Sequence, residues 1–387
     1  IMRRGGVIAL CALASVSTHF AWAQTAAPYG PPPPPAMPDA YARDLVDVAG
    51  DPSSRLVVWG PAVAGGTMLI DAEDEPSLAA LARRDLLQIA RARKMTVLFL
   101  GAAPDSPAPE KLRETIARLR LASRSKRIIG AGVGQSGDLL QKLAGEGGEK
   151  LFDALLLLDA APPKPSGKST PFTIEIFGSD AYWRPVPRAP EPRAVEPSNR
   201  RVFFLAGGAA SNAPETNCAA PVNDRSAEPA RRALLVALDD FLQGGPPPAS
   251  RRADLAPAES LAWPKIPGFP APPPGARLVP KIDVDGNESS GLRLPDQALP
   301  IATFTGWNAA RDKAKGDCAS GSKLPFPISR AAREASGDPR QSLPERYGSR
   351  AYFVGALRSV ADRLVKERLL LPQDADAYVA AGKEAPF

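Results

Sequence analysis

The chain has 387 residues, with 48 Lys and Arg against 42 Asp and Glu, a formal charge of +6 and a single histidine, His19. Its basic residues are scattered rather than gathered into a stripe, and aromatics are few, which argues against a nucleic-acid partner. One histidine and three cysteines leave no Cys/His set for a transition metal, so neither a metal nor a cofactor is expected.

At the N-terminus Met2-Arg3-Arg4 is a short basic start, Val7 to Val16 is an apolar run, and Ala21-Trp22-Ala23 supplies small residues where a signal peptidase cuts. Residues 1–23 therefore read as an export signal, with the mature chain beginning at Gln24 in the periplasm or outside the cell. The apolar run is too short to span a bilayer, so no membrane insertion is expected after cleavage. His19 leaves with the signal. Cys218 and Cys318 are then the remaining cysteines, and two cysteines in an exported chain predict a disulfide.

Residues 24–50, with Pro31 to Pro35, read as a disordered, Pro-rich linker ahead of one domain over 51–387. Within it Leu56 to Trp59 predicts a strand, and Ser77 to Arg93 a helix with Leu78, Leu81, Leu86 and Ile89 at helical spacing. Met95 to Leu100 is a buried strand. Pro109 to Leu121 is a helix opened by proline near its first turn. A strand from Arg127, a helix over Asp138 to Leu143, and strands at Phe152 to Leu158, Phe172 to Phe177 and Arg201 to Leu205 follow. Ala230 to Leu242 is an amphipathic helix stopped by Gly244-Gly245 and three prolines. Strands that are apolar throughout, alternating with helices, predict an α/β fold with a mostly parallel sheet covered on both faces over 51–245. Residues 246–280 are a Pro-rich connector. Residues 281–387 form a C-terminal loop-and-helix lobe, helical from Arg346 to Leu371 as a pair or one long helix.

The segment Gly132-Val133-Gly134-Gln135-Ser136-Gly137 carries the chemistry, and three readings of it stand level. Gly132-x-Gly134-x-x-Gly137 fits a dinucleotide loop, with Asp153 and Asp159 only loosely placed for a ribose contact. The same residues fit a nucleophile elbow with Ser136 as nucleophile and the Gly137 N–H at the oxyanion. They also fit mere close packing of strand on helix. Lys126, Lys142 and Lys150 are the lysines that could serve as a Ser–Lys base, and solvated surface roles suit them better. Asp283-x-Asp285-Gly286-Asn287 hints at a calcium loop, but its glycine is misplaced, and a turn at Asp285-Gly286 is the better reading.

The C-terminal third separates the three. Leu278-Val279-Pro280-Lys281-Ile282-Asp283-Val284-Asp285-Gly286-Asn287-Glu288 runs into Gly291-Leu292-Arg293-Leu294-Pro295 and Ala302-Thr303-Phe304-Thr305-Gly306-Trp307-Asn308. Gly337-Asp338-Pro339-Arg340, Glu345-Arg346-Tyr347 and Glu367-Arg368-Leu369-Leu370-Leu371-Pro372 complete the series. It resembles the large, mostly exported bacterial alpha/beta hydrolase domain family, densely over 278–381 and more loosely over 126–245. The resemblance implies an α/β-hydrolase-like sheet and an esterase-type site. The family segment matching 132–138 reads Gly-Phe-Ser-Gln-Ser-Gly-Arg, so Gly134 and Asp138 depart from it, and Ser136 is the implied nucleophile. Ala181 stands where the family carries a glutamate, with Asp180 beside it as candidate acid. Ser211 stands where the family carries histidine. Cys218 and Cys318 match family cysteines. The expectation is a member with its triad degenerate and little or no esterase activity, retained for binding a small molecule or a protein. An active serine hydrolase with a non-histidine base and a dinucleotide-binding oxidoreductase are the alternatives.

Overall fold

The computed structural model describes residues 42–48, 51–60, 66–73, 85–101, 108–145, 150–161, 170–183, 196–208, 217–274, 278–316, 318 and 320–387. The expected signal with His19, the run Pro31 to Pro35 and Ser211 lie outside the described residues.

Eight strands make one sheet: β1 Ala42–Val48, β2 Asp51–Gly60, β3 Thr67–Glu73, β4 Thr96–Gly101, β5 Arg127–Val133, β6 Ala154–Leu158, β7 Phe172–Gly178 and β8 Arg200–Leu205. Their spatial order is β1-β2-β4-β3-β5-β6-β7-β8. β2 is antiparallel to both neighbours, and every pair from β4 across to β8 is parallel. Helices α1 Asp85–Ala92, α2 Pro109–Ala122, α3 Gly134–Gly145, α4 Asp180–Trp183 and α5 Glu228–Leu242 lie between or after the strands.

The sheet is covered on both faces, as the continuous apolar strands require. On one face Leu86 and Leu87 of α1 and Leu234, Leu235 and Leu238 of α5 pack against Leu69, Ile129, Leu156 and Ile174. On the other, Leu112 and Ile116 of α2 and Leu140 and Leu143 of α3 pack against Met68, Ile70, Ile128, Leu155 and Leu157. Glu175, buried in the middle of β7, is matched by Arg200 of β8 at 2.6 Å, so the one acid in that apolar strand is paired across to its neighbour.

Beyond α5 the chain is mostly irregular. Short ladders β9 Leu255–Pro257 with β10 Leu278–Pro280, and β11 Ala302–Phe304 with β12 Lys323–Pro325, hold it, with α6 Pro295–Ala298 between. Then come α7 Arg330–Ser336, α8 Leu343–Tyr347, α9 Arg350–Lys366 and α10 Pro372–Lys383. α9 and α10 join the first core face through Ala361, Leu364, Ala375 and Tyr378. A buried two-point ion pair from Arg232 of α5 to Asp374 of α10, at 3.1 and 2.6 Å, fixes that docking. The free edge of β8 is closed by this irregular chain. The N–H of Val202 donates to Ser250 Oγ, that of Phe204 to Arg251 O and that of Ala206 to Leu292 O, while the carbonyls of Val202 and Phe204 accept from Arg251 N and Leu292 N.

Several expectations need correction. The linker read over 24–50 contains strand β1, which pairs Leu45 with Val57 and Val46 with Leu56; Leu45, Val46 and Val48 are strand formers whose signal is diluted by Arg43, Asp44 and Asp47. Strand β3, at the heart of the sheet, is absent from the sequence reading because Asp71 interrupts its apolar run; that residue is buried. The helix after the glycines begins at Gly134 rather than Asp138. The helix expected over Ser77 to Arg93 is described from Asp85. Of the two forms expected for Arg346 to Leu371 the pair is found, α8 and α9 separated at Gly348, and the further helix α10 starts at Pro372.

Candidate functional site

The site is built at the carboxyl ends of β5, β7 and β8, where the loops leave the parallel sheet. The turn from β5 into α3 is as sharp as an elbow requires. A Cβ on Gly132 would lie 2.8 Å from both Cα and N of Gly137, so strand and helix touch backbone to backbone. A Cβ on Gly137 would lie 2.7 Å from Cβ of Ala160, just past β6. Asp138 and Gln141 tie the helix to the same place: Asp138 Oδ1 accepts from the N–H of Ala161 at 2.7 Å, and Gln141 Nε2 donates to its carbonyl at 2.8 Å.

Within this turn the residue in the left-handed region is Gly134, with φ +53°. Ser136 has helical backbone in α3 and is completely buried. The expectation that Ser136 would be strained and open to a pocket is therefore corrected. A nucleophile elbow places its nucleophile on the strained residue itself, directly between strand and helix. That place belongs to Gly134, and the residue after it is Gln135, whose exposed position is where an oxyanion-binding N–H is needed. Gly137, expected in that role, is buried in the packing of α3 on β5 and β6.

The turns after β7 and β8 meet one another. Ser179 N–H donates to Gly208 O at 2.8 Å. Asp180 begins α4 and is buried, its carboxylate against Gly178, and Ala181 beside it is fully buried. Between the two turns sits a residue that sequence reasoning passed over, Glu288. The serine Oγ of Ser179 donates to Glu288 Oε1 at 2.6 Å, and Gly207 N–H donates to Glu288 Oε2 at 2.6 Å. Burial pushes the Glu288 carboxyl up to about 7, the two hydrogen bonds from Gly207 and Ser179 oppose the rise, and neighbouring Asp180 adds to it. Glu288 lies two residues after the Asp285-Gly286 turn, a position that carries no signal of this role in the sequence. That turn forms as expected: Gly286 has φ +80°, Asp283 Oδ1 accepts from the N–H groups of Asp285 and Asn287, and Ile282 bridges to Glu288.

The lysines considered as bases are placed elsewhere. Lys126 precedes β5, at the far end of the strand from the elbow, Lys142 lies in the last turn of α3, and Lys150 pairs with Asp153 at 3.4 Å. Asp153 itself accepts from the N–H of Ile128 at the amino ends of the strands, which removes it from any ribose position. The cysteines form the disulfide Cys218–Cys318, with Cα atoms 5.2 Å apart. An aromatic cluster flanks α4, with Trp183 4.2 Å from Trp307 and 6.0 Å from Trp263 between ring centroids. Trp263, Leu261, Glu259 and Pro272 to Pro274 line an open surface cleft of about 580 Å³.

No curated protein matches the chain in sequence. Among solved structures it is similar in part to a CIB-like hydrolase from Thermoplasma acidophilum, at 11% identity and a TM-score of 0.30 over 43% of this chain and 86% of that one. It is similar likewise to a hormone-sensitive lipase from a metagenome library, at 16% identity and a TM-score of 0.28 over 38% of this chain and 68% of that one. A carboxyl esterase from the mycorrhizal fungus Tuber melanosporum matches at 9% identity and a TM-score of 0.29 over 36% of this chain and 67% of that one. The fold rests on firmer ground, the strand order with its antiparallel β2 and the elbow after β5. The strand order reverses between β3 and β5, and the glycine turn follows β5 rather than the first strand of a βαβ unit, where a dinucleotide fold carries it. A family model described as an alpha/beta hydrolase domain matches residues 187–380, half of the chain. With an α/β-hydrolase-like sheet and that match, the chain belongs to the alpha/beta hydrolase domain family.

Proposed function

We propose that this chain is an exported member of the family whose ester-hydrolysing triad has lapsed, and whose scaffold binds a small molecule or a protein. The observation that carries the reading is Gly134. It holds the strained position of the elbow, and a residue without a side chain cannot attack a carbonyl. Ser136, the nucleophile implied by resemblance, is helical and buried. Ala181 at the acid position and Ser211 at the histidine position point the same way, as does a mature chain without histidine. A serine hydroxyl needs such a base to become a useful nucleophile. Export is supported by the leader pattern and by the Cys218–Cys318 bridge, since disulfides persist in oxidising compartments.

The test is labelling with a fluorophosphonate, followed by mapping of the modified peptide. The full chain is expected to take no label, and Ser136→Ala to leave its background ester turnover unchanged. Label on Ser136 that disappears in Ser136→Ala overturns the reading in favour of an active hydrolase with another base. The combined change Gly134→Ser, Ala181→Glu and Ser211→His is expected to gain label at 134, where the single changes gain none. Mass measurement of periplasmic protein should give a chain beginning at Gln24; an intact residue 1–23 segment refutes export with cleavage.

A further inference from the structure

We infer that Glu288 is a proton-operated latch that fastens the C-terminal lobe to the two turns flanking the site, tight when protonated and loosened when ionised. The inference is independent of whether the triad is degenerate, because it rests on the junction of the lobe with the two turns and not on the triad residues. Glu288 lies 109 residues from Ser179 and 81 from Gly207, yet one carboxyl group takes a hydrogen bond from each. It thereby joins three separate parts of the chain: the turn after β7, the turn after β8 and the hairpin turn at 283–286. Two further links run beside it. Asn223 Nδ2 donates to Gly207 O at 3.0 Å and Thr305 O at 3.2 Å, and Gly306 lies so close to Ser179 that a Cβ there would meet Ser179 Oγ at 2.5 Å.

The surroundings of this carboxyl favour its neutral form. Its burial outweighs the two hydrogen bonds that Ser179 and Gly207 donate to it, and among the described residues no cation offsets that burial. The charged group facing it is Asp180, a like charge from the turn after β7, and the phenol of Tyr182 on α4 feels its charge, with Arg252 of the connector acting on Tyr182 in the opposite direction. Ser179 makes both protonation states workable. Its hydroxyl donates to an ionised Glu288, and it can turn to accept a proton from a neutral one while Gly207 N–H keeps its acceptor. Protonation thus removes a buried charge without breaking the junction.

The sign follows from linkage. A carboxyl raised from 4.5 to about 7 in the folded protein contributes stability that is complete below about pH 4.5 and lost as pH rises through about 7. Between pH 6 and pH 8 the opening of the junction should become about ten-fold more favourable. Hydrogen exchange on the full chain reads this directly at the Gly207 amide and in peptides covering 286–292, after correction for the intrinsic pH dependence of exchange. Protection is expected to fall about ten-fold from pH 6 to pH 8, and Glu288→Gln, which is uncharged at both pH values and keeps an acceptor oxygen for the Gly207 N–H, is expected to hold it level. Level protection in the unmodified chain, or the same fall in Glu288→Gln, overturns the latch. Should Glu288→Gln not fold, carbon NMR of the Glu288 carboxyl in the unmodified chain decides it, with a midpoint near 7 expected and a midpoint below about 5 overturning the proposal.

Discussion

The packing of the elbow can be tested with two substitutions that should rescue each other. Gly137→Ala puts a methyl group 2.7 Å from Cβ of Ala160, while its other near neighbours, C and O of Gly132, stay at 3.6 Å. Carbon atoms settle at about 3.5–4.0 Å, so the overlap is about 1 Å and falls on one side chain. Overpacking of this kind costs about 1–3 kcal/mol. Gly137 is helical with ordinary φ, so alanine also returns about 1 kcal/mol of helix propensity, and the net loss should be about 0–2 kcal/mol. Ala160→Gly alone loses a buried methyl group, about 0.8 kcal/mol, plus the backbone freedom of glycine, about 0.4–1 kcal/mol. In the double variant the clash is gone and the propensity gain remains. Urea unfolding of the four proteins, with unchanged slopes, should therefore give a favourable coupling of about 1 kcal/mol or more. Additivity within about 0.5 kcal/mol would show that α3 does not sit on the turn after β6 as described, and the assignment of Gly134 to the elbow would lose its support.

Two more outcomes follow from the lobe. The Cys218–Cys318 bridge spans 100 residues of sequence, for which chain entropy gives about 5 kcal/mol, so the double change to serine should lower the urea midpoint steeply, and an unchanged midpoint refutes that ledger. Arg340 is buried and donates to both carboxylate oxygens of Asp338, to Thr303 Oγ1 and to the carbonyls of Leu324 and Pro325, so Arg340→Leu should cost about 3–5 kcal/mol by stranding Asp338, and a loss under about 1 kcal/mol in the same assay contradicts it.

Much of the sheet was legible because its strands are apolar throughout. Met95 to Leu100, Phe152 to Leu158 and Arg201 to Leu205 each announce themselves, and the helices around them carry clear periodicity. What escaped did so for definable reasons. β3 carries Asp71, and a buried acid reads as surface until its neighbours are known. β1 is a charged edge hairpin whose strand character comes from pairing with β2 rather than from its own pattern. At the elbow the glycines were found, but a linear reading could not say which of two neighbouring positions would carry the positive φ, and it settled on the one that had a hydroxyl. Glu288 was invisible for the opposite reason. Nothing local distinguishes it; its role exists only because the lobe returns across 109 and 81 residues to meet Ser179 and Gly207.

The closure of β8 has a consequence for how copies of this protein meet one another. A bare edge strand is a template on which a second chain can add its own strand, the first step toward aggregation. Here the outward N–H groups of Val202, Phe204 and Ala206 are spoken for by Ser250, Arg251 and Leu292, residues that come from two separate stretches of irregular chain. The second stretch can approach only because Gly291 has no side chain, since a Cβ there would lie 2.5 Å from Phe204 O. The first of these stretches belongs to the Pro-rich connector, and such a segment makes a good guard for an edge. It satisfies the strand's donors at a few points, and its prolines, having no N–H of their own, offer little for a further strand to join.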